Sequence, residues 1–301
     1  MNREWPDTPI LMLGAGLMGA PMARRLHDKG LPVSIWNRSP EKLAPLASDG
    51  IATVETLAAL DKARRVVIVM VSDGPAAEAA LFGAANGAAP FADRIARGST
   101  VICMSSIPVD IARAHAAAFG ARGVAYIDAP VSGGEKGAIE GTLTIMAGGE
   151  SPDIEAMRPI FDALGRSLTH VGPAGSGQLA KIANQMIVGV TIGAVAEALL
   201  LAKAGGADPA KVREALLGGF ADSAILRQHG ARMIAGDFKP GGRSVTQRKD
   251  LRTAVSQARA TGLDLPLSAL VRDLYEEMCA DGRGDLDHSA LYLLLGERRA
   301  R

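Results

Sequence analysis

Along the chain, short apolar runs alternate with longer segments in which apolar residues recur every three or four positions. Runs of strand length stand at Ile10–Leu13, Val33–Trp36, Val66–Val71, Thr100–Cys103, Ala125–Asp128, Thr142–Ala147 and Leu168–Val171. Between them lie helix-patterned segments at Pro21–Lys29, Pro40–Ala47, Pro75–Leu81, Pro108–Phe119 and Pro152–Leu164, opened by prolines suited to a first helical turn. Such alternation predicts an α/β fold built on a doubly wound, mostly parallel sheet. After Gly172-Pro173 the texture changes. Gly175 to Ala204 reads as one long helix, apolar nearly all round, the pattern of a helix buried between two domains or two subunits. Pro209–Leu217, Ala224–Ile234, Val245–Thr261 and Leu267–Met278 are helical, with no strand signal. The expected division is therefore 1–172, an α/β domain, and 173–301, an all-α domain.

Composition narrows the function classes. A chain of 301 residues is long enough for two domains and a sizeable core. With 33 basic against 32 acidic residues, charge gives no case for nucleic acid or a membrane as partner. Cys103 and Cys279 match neither a disulfide framework nor a zinc-ligand spacing, and read as two buried thiols in a reducing compartment. Met1–Asp7 lacks the apolar core of a signal peptide. The longest apolar stretch, Met186–Leu201, is broken by Glu197 and falls short of a bilayer span, so a soluble cytoplasmic protein is expected. Arg298–Arg301 reads as a solvated tail. The histidines His27, His115, His170, His229 and His288 show no metal-ligand spacing, so no metal is expected.

The first strand runs into Gly14-Ala15-Gly16-Leu17-Met18-Gly19, three glycines spaced G-x-G-x-x-G between a strand and a helix, the setting of a dinucleotide-binding loop. Gly14 serves the tight turn, Gly16 the approach of a pyrophosphate, and Gly19 the packing of helix on strand. The helix N-terminus offers free N–H groups to phosphate. Binders of unphosphorylated NAD usually carry an acid at the end of the second strand, gripping the ribose. Here the strand ends Asn37-Arg38-Ser39. Asn37 can donate without repelling a phosphate, Arg38 can pair with a 2′-phosphate, and Ser39 adds a donor. NADP(H) is preferred over NAD(H), which is not excluded.

Four blocks in order extend this reading. They are Gly14–Ala23, Asp128-Ala129-Pro130-Val131-Ser132-Gly133-Gly134, Gly175-Ser176-Gly177-Gln178-Leu179-Ala180-Lys181-Ile182-Ala183-Asn184, and Lys249-Asp250-Leu251. Together they resemble the β-hydroxyacid dehydrogenase family, which includes 3-hydroxyisobutyrate dehydrogenase and 2-hydroxy-3-oxopropionate (tartronate semialdehyde) reductase, nearly end to end. The resemblance implies a Rossmann-type cofactor domain, a long interdomain helix and an all-α domain for substrate and oligomerisation. It also implies interconversion of a small β-hydroxy acid and its semialdehyde or keto acid. The chemistry of the residues agrees. An ammonium at Lys181 stabilises negative charge developing on a carbonyl oxygen and delivers a proton to it. Asn184, at i+3, shares the Lys181 face of the helix and is placed to hold the ammonium or a substrate hydroxyl. Ser132, Gly133 and Gly134 follow a strand end, where a hydroxyl and exposed N–H groups suit a carboxylate. By resemblance Lys249 reaches toward the nicotinamide ribose with Asp250 holding its geometry. Ser106 stands where the family has a threonine near the nicotinamide, and Val71 and Ser72 end a strand beside the cofactor path.

Departures from the family concern the substrate. Gly242 replaces a second aromatic after Phe238-Lys239-Pro240-Gly241, and Thr246 and Arg248 replace apolar neighbours of Lys249. A roomier or more polar pocket is the expectation. The alternatives are an imine reductase, which generally lacks the lysine at position 181, a glyoxylate/succinic semialdehyde reductase on the same fold, and a non-catalytic NADP-binding protein. A homodimer or homotetramer is expected from the apolar helix.

Overall fold

Among the described residues nine strands form one sheet: β1 Ile10–Leu13, β2 Val33–Trp36, β3 Ala52–Val54, β4 Val66–Val69, β5 Thr100–Cys103, β6 Ala125–Asp128, β7 Val131–Ser132, β8 Leu143–Gly148 and β9 Gly165–Gly172. Their order is β3-β2-β1-β4-β5-β6-β8-β7, with β9 also on β8. All pairings from β3 to β6 are parallel, and the sheet turns antiparallel where β8 meets β6 and β7. The computed structural model describes residues 8–63, 65–83 and 89–298. The expectations for Met1–Asp7 and Arg299–Arg301 lie outside the described residues. Arg298 lies within them and pairs with Glu277.

The strands are apolar on both sides because helices cover both faces. Ile10, Met12, Ile35, Ile68, Ile102 and Ile127 enter one core layer, and Leu11, Leu13, Val67, Val69, Val101 and Cys103 enter the other. This is the two-residue alternation of a strand buried twice over. Each side chain buried there contributes about 1.5–3 kcal/mol. The helices of this part are α1 Gly19–Asp28, α2 Ala44–Ser48, α3 Gly74–Phe82, α4 Val109–Gly120, α5 Gly134–Glu140, α6 Ser151–Ala156 and α7 Arg158–Leu164. Two predicted helices are broken. Pro40–Ala47 becomes a 3-10 turn followed by α2, and Pro152–Leu164 splits at Met157. The breaks fall at Pro45 and Pro159, each of which removes a backbone N–H and clashes with the preceding turn.

α8 Ser176–Ala204 is followed by α9 Pro209–Leu216, α10 Ala224–Ala235, α11 Ser244–Ala260, α12 Pro266–Ala280 and α13 Leu291–Glu297. The chain divides into two units, Met1–Lys181 and Ile182–Arg301, and the division falls inside α8. A third core joins α8 to the later helices through Ile192, Ala196, Leu199, Leu251, Tyr275, Met278 and Leu291.

Within one chain Ile187 of α8 is 68 % and Leu201 75 % exposed. One expectation for α8 needs correction: by length and composition alone the helix could span a bilayer, because one Glu197 does not outweigh its apolar neighbours. Its polar side chains nevertheless bond within the fold, Gln178 to the β5–α4 segment and Gln185 to Asp250 of α11. Cys103 is buried, which pushes its thiol up to about 12, whereas Cys279 is only partly buried.

Candidate active site

Several strands end level with one another. Leu13 of β1 pairs with Trp36 of β2 and Val69 of β4, Val69 with Cys103 of β5, and Cys103 with Asp128 of β6. The segments beginning at Gly14, Asn37, Met70, Met104 and Ala129 therefore leave from one carboxyl edge. β1 lies between β2 and β4, where the strand order reverses and open α/β sheets take their ligands.

The glycine loop is shaped by contact. Gly14 donates its N–H to the Trp36 carbonyl at 2.8 Å and holds φ +111°. A Cβ there would run into the carbonyl oxygen of Met70, and one on Gly19 into that of Gly14. At Gly16 a Cβ would meet nothing within 4 Å, so the loop is open where a pyrophosphate approaches. Leu17 is exposed and Met18 half-buried. The loop fits a dinucleotide.

Asn37 turns inward. Its Oδ1 accepts from Ala15 N at 2.9 Å and its Nδ2 donates to the Ser39 carbonyl at 2.9 Å, so the side chain braces the glycine loop against the end of β2. Arg38 beside it is exposed and makes no ion pair among the described residues, and Ser39 is half-buried. Further along the edge, Val71 N donates to Ser105 Oγ at 2.8 Å, and Ser105 Oγ donates to the Val69 carbonyl at 3.3 Å. The buried Ser105 thus ties β4 to β5, while its neighbour Ser106 is half-buried. Ser72 is exposed and donates to Asp73, which caps α3.

The start of α8 hangs from this edge. Asp128, buried at the end of β6, accepts from Gly175 N at 2.7 Å and Gln178 N at 2.8 Å. Burial pushes its carboxyl up to about 6, against the pull of these N–H groups. A Cβ on Gly177 would run into the carbonyl oxygens of Asp128 and Met146, so only glycine lets the helix start this close to the sheet. Gln178, fully buried, donates to the Ser105 carbonyl at 2.9 Å and accepts from Ile107 N at 3.1 Å. Lys181, half-buried, follows one turn later. Asp128 and Gln178, absent from the sequence-derived site, fix the place of its central lysine. Asp128→Asn should cost about 1–3 kcal/mol, because one backbone N–H then faces a second donor. The check is a lower Tm in thermal unfolding.

Ser132 pairs with Thr144 of β8, and Gly133 and Gly134 are exposed where α5 begins. Lys136, on the exposed side of α5, lies 3.8 Å from Glu140.

In the second unit, Asn184 donates to Gln185 Oε1 at 2.9 Å, and Gln185 donates to Asp250 Oδ2 at 2.7 Å. Lys249 Nζ lies 3.3 Å from Asp250 Oδ1. Gln247 donates to the Gln185 carbonyl at 2.9 Å. Asn184 and Lys249 thus end one polar line, whose middle members the sequence did not single out. The expected room at Gly242 is absent, since a Cβ there would meet the His288 ring at 3.2–3.5 Å. Arg248 pairs with Glu276 of α12 at 3.8 Å.

A parallel sheet with a glycine loop at its switch point is the arrangement of a dinucleotide-binding domain. Residues 9–172 match the NAD binding domain of 6-phosphogluconate dehydrogenase, and residues 175–295 the NAD-binding domain of NADP-dependent 3-hydroxyisobutyrate dehydrogenase. The chain belongs to the β-hydroxyacid dehydrogenase family. It is 44 % identical over 280 residues to 2-hydroxy-3-oxopropionate reductase of Escherichia coli, covering 93 % of this chain and 94 % of that one. It is 32 % identical over 291 residues to 3-hydroxyisobutyrate dehydrogenase of Pseudomonas aeruginosa, covering 94 % and 95 %. The solved 3-hydroxyisobutyrate dehydrogenase of Mycobacterium tuberculosis superposes with TM-score 0.84 at 31 % identity, covering 96 % and 99 %.

Proposed function

We propose that the protein is an NADP(H)-dependent reductase of a small 2-hydroxy-3-oxo acid, reversibly a dehydrogenase of the corresponding β-hydroxy acid, with Lys181 as general acid and base. The bound nicotinamide supplies or accepts the hydride. Lys181 delivers a proton to the carbonyl oxygen as charge develops there, and removes it in the reverse direction. Ser132 and the N–H groups of Gly133 and Gly134 hold the substrate carboxylate. Asn184 positions the substrate hydroxyl or the ammonium, and Lys249 contacts the nicotinamide ribose. Val71, Ser72 and Ser106 border the cofactor, while Leu17, Met18, Arg38 and Ser39 take its phosphates and adenosine ribose. Asn37 holds the loop that does so.

The observation that carries this reading is the pair of hydrogen bonds from Gly175 and Gln178 to Asp128, which hold the Lys181 turn at the edge where the cofactor loops emerge. The high identity to a 2-hydroxy-3-oxopropionate reductase favours that substrate class. In this reading residues 1–172 bind the dinucleotide and 173–301 serve substrate and assembly. The exposed Ile187 and Leu201 favour a homodimer or homotetramer in which a second copy covers α8, and the protein is read as cytoplasmic.

The test is a panel of aldehyde acids with NADPH and NADH, following loss of reduced-nicotinamide absorbance. 2-Hydroxy-3-oxopropionate with NADPH should turn over fastest, ahead of glyoxylate and succinic semialdehyde. Turnover confined to imines would overturn the reading.

A further inference from the structure

In the second unit α10 and the turn before α13 bring two imidazoles into edge contact. His229 Nε2 and His288 Nε2 lie 3.2 Å apart with the rings nearly perpendicular, at 89°. Each ring has an acceptor behind it. His288 Nδ1 lies 3.4 Å from Gln247 Oε1, and His229 Nδ1 lies 3.7 Å from Asp287 Oδ1. The Gln247 amide is oriented by its other end, because Nε2 donates to the Gln185 carbonyl at 2.9 Å and leaves Oε1 toward His288.

The two rings share one close approach, Nε2 to Nε2, while Asp287 Oδ1, at 3.7 Å from His229 Nδ1, stands beyond hydrogen-bond reach. Two neutral imidazoles bring two protons. If both Nδ1 atoms carry the proton, two bare Nε2 lone pairs meet across 3.2 Å. If one Nε2 carries it, an Nδ1 is left facing an acceptor, and His229 Nδ1 is buried with no hydrogen-bond partner.

We infer that His229 and His288 form a site for one divalent transition-metal ion of the imidazole-preferring kind, held between the two Nε2 atoms. At the usual zinc–nitrogen distance of about 2.0–2.1 Å, nitrogens 3.2 Å apart subtend an angle of about 100° at the ion, near tetrahedral. Bare Nε2 atoms with protonated Nδ1 atoms are the tautomers a metal-ligating pair needs, and at His288 the Gln247 amide oxygen stands behind that Nδ1. Asp287 acts from behind, not as a ligand. Its oxygens already accept from the N–H groups of Gly241, Gly242 and Ser289 and from Ser289 Oγ. Arg232, 3.4 Å from Asp287 and 3.8 Å from Asp237, is the neighbouring cation, and these two carboxylates offset it. The His229 side chain keeps 14 % exposure. The ligands lie 59 positions apart in the chain, so no sequence spacing announces them.

The full-length protein, stripped with EDTA and dialysed, is titrated with zinc chloride by calorimetry at neutral pH, and with cobalt(II) by visible absorption. One zinc per chain is expected, with a cobalt spectrum of nitrogen-bound, low-coordinate metal and a Tm raised by zinc. His229→Gln should weaken zinc more than tenfold and abolish the Tm shift. Gln247→Leu, which leaves both ligands in place, should weaken it about 10–100-fold and serves should His229→Gln misfold. Absence of zinc binding, or binding unchanged in a folded variant of either kind, overturns the proposal.

Discussion

Lys181→Ala is expected to lower kcat by about two to four orders of magnitude, the usual worth of a positioned proton donor. NADPH binding should change little. The reasons lie in how the turn is held. Gly175, Gln178 and Asp128 fix the start of α8 through backbone hydrogen bonds, and Gln178 fixes it again through Ser105 and Ile107. None of these bonds uses the lysine side chain, so the turn stays pinned in the truncated variant. Proton delivery and charge stabilisation at the oxygen are lost together, and both act more strongly in the transition state than on bound substrate. The loss should therefore fall on kcat rather than KM. Lys181→Arg keeps the charge but cannot give up its proton near neutral pH, and should recover binding of an acidic substrate without recovering rate. Turnover within a few-fold of wild type in Lys181→Ala would remove the mechanism.

Sequence and structure meet most closely where a residue's role is local. Ile10–Leu13 and Thr100–Cys103 are strands in both, because a two-residue alternation filled on both faces leaves only apolar positions. β3 and β7, of three and two residues, are too short to leave a pattern, and the glycines at 134 and 137 make α5 read as a loop. The cofactor loop was legible because spacing alone encodes its turn and close approaches. The support of Lys181 was not. Gln178 acts on Ser105, 73 positions away, and Asp128 on Gly175 and Gln178, so nothing local marks either. Gly242 shows the reverse error. A missing side chain reads as space in one dimension, yet the fold fills it with His288.

Arg38→Ala is expected to raise KM for NADPH by about 10–100-fold, the worth of hydrogen bonds to a charged group at an exposed site, and to leave KM for NADH within a few-fold. What separates the cofactors is the 2′-phosphate. The end of β2 carries no carboxylate that would repel it, since Asn37 stands there with its amide oxygen engaged by Ala15 N. Arg38 follows it, two residues beyond the strand whose last carbonyl accepts from Gly14. An exposed arginine acts through charge that salt screens, with a Debye length of about 8 Å at physiological ionic strength. The wild-type KM for NADPH should therefore climb with added salt, and the Arg38→Ala KM should climb less. Asn37→Asp forms the converse case. Its carboxylate can still accept from Ala15 N but no longer donates to the Ser39 carbonyl, and its negative charge should weaken NADPH more than NADH. Equal effects on both cofactors in Arg38→Ala would place the phosphate elsewhere and leave the glycine loop as a dinucleotide site without a preference.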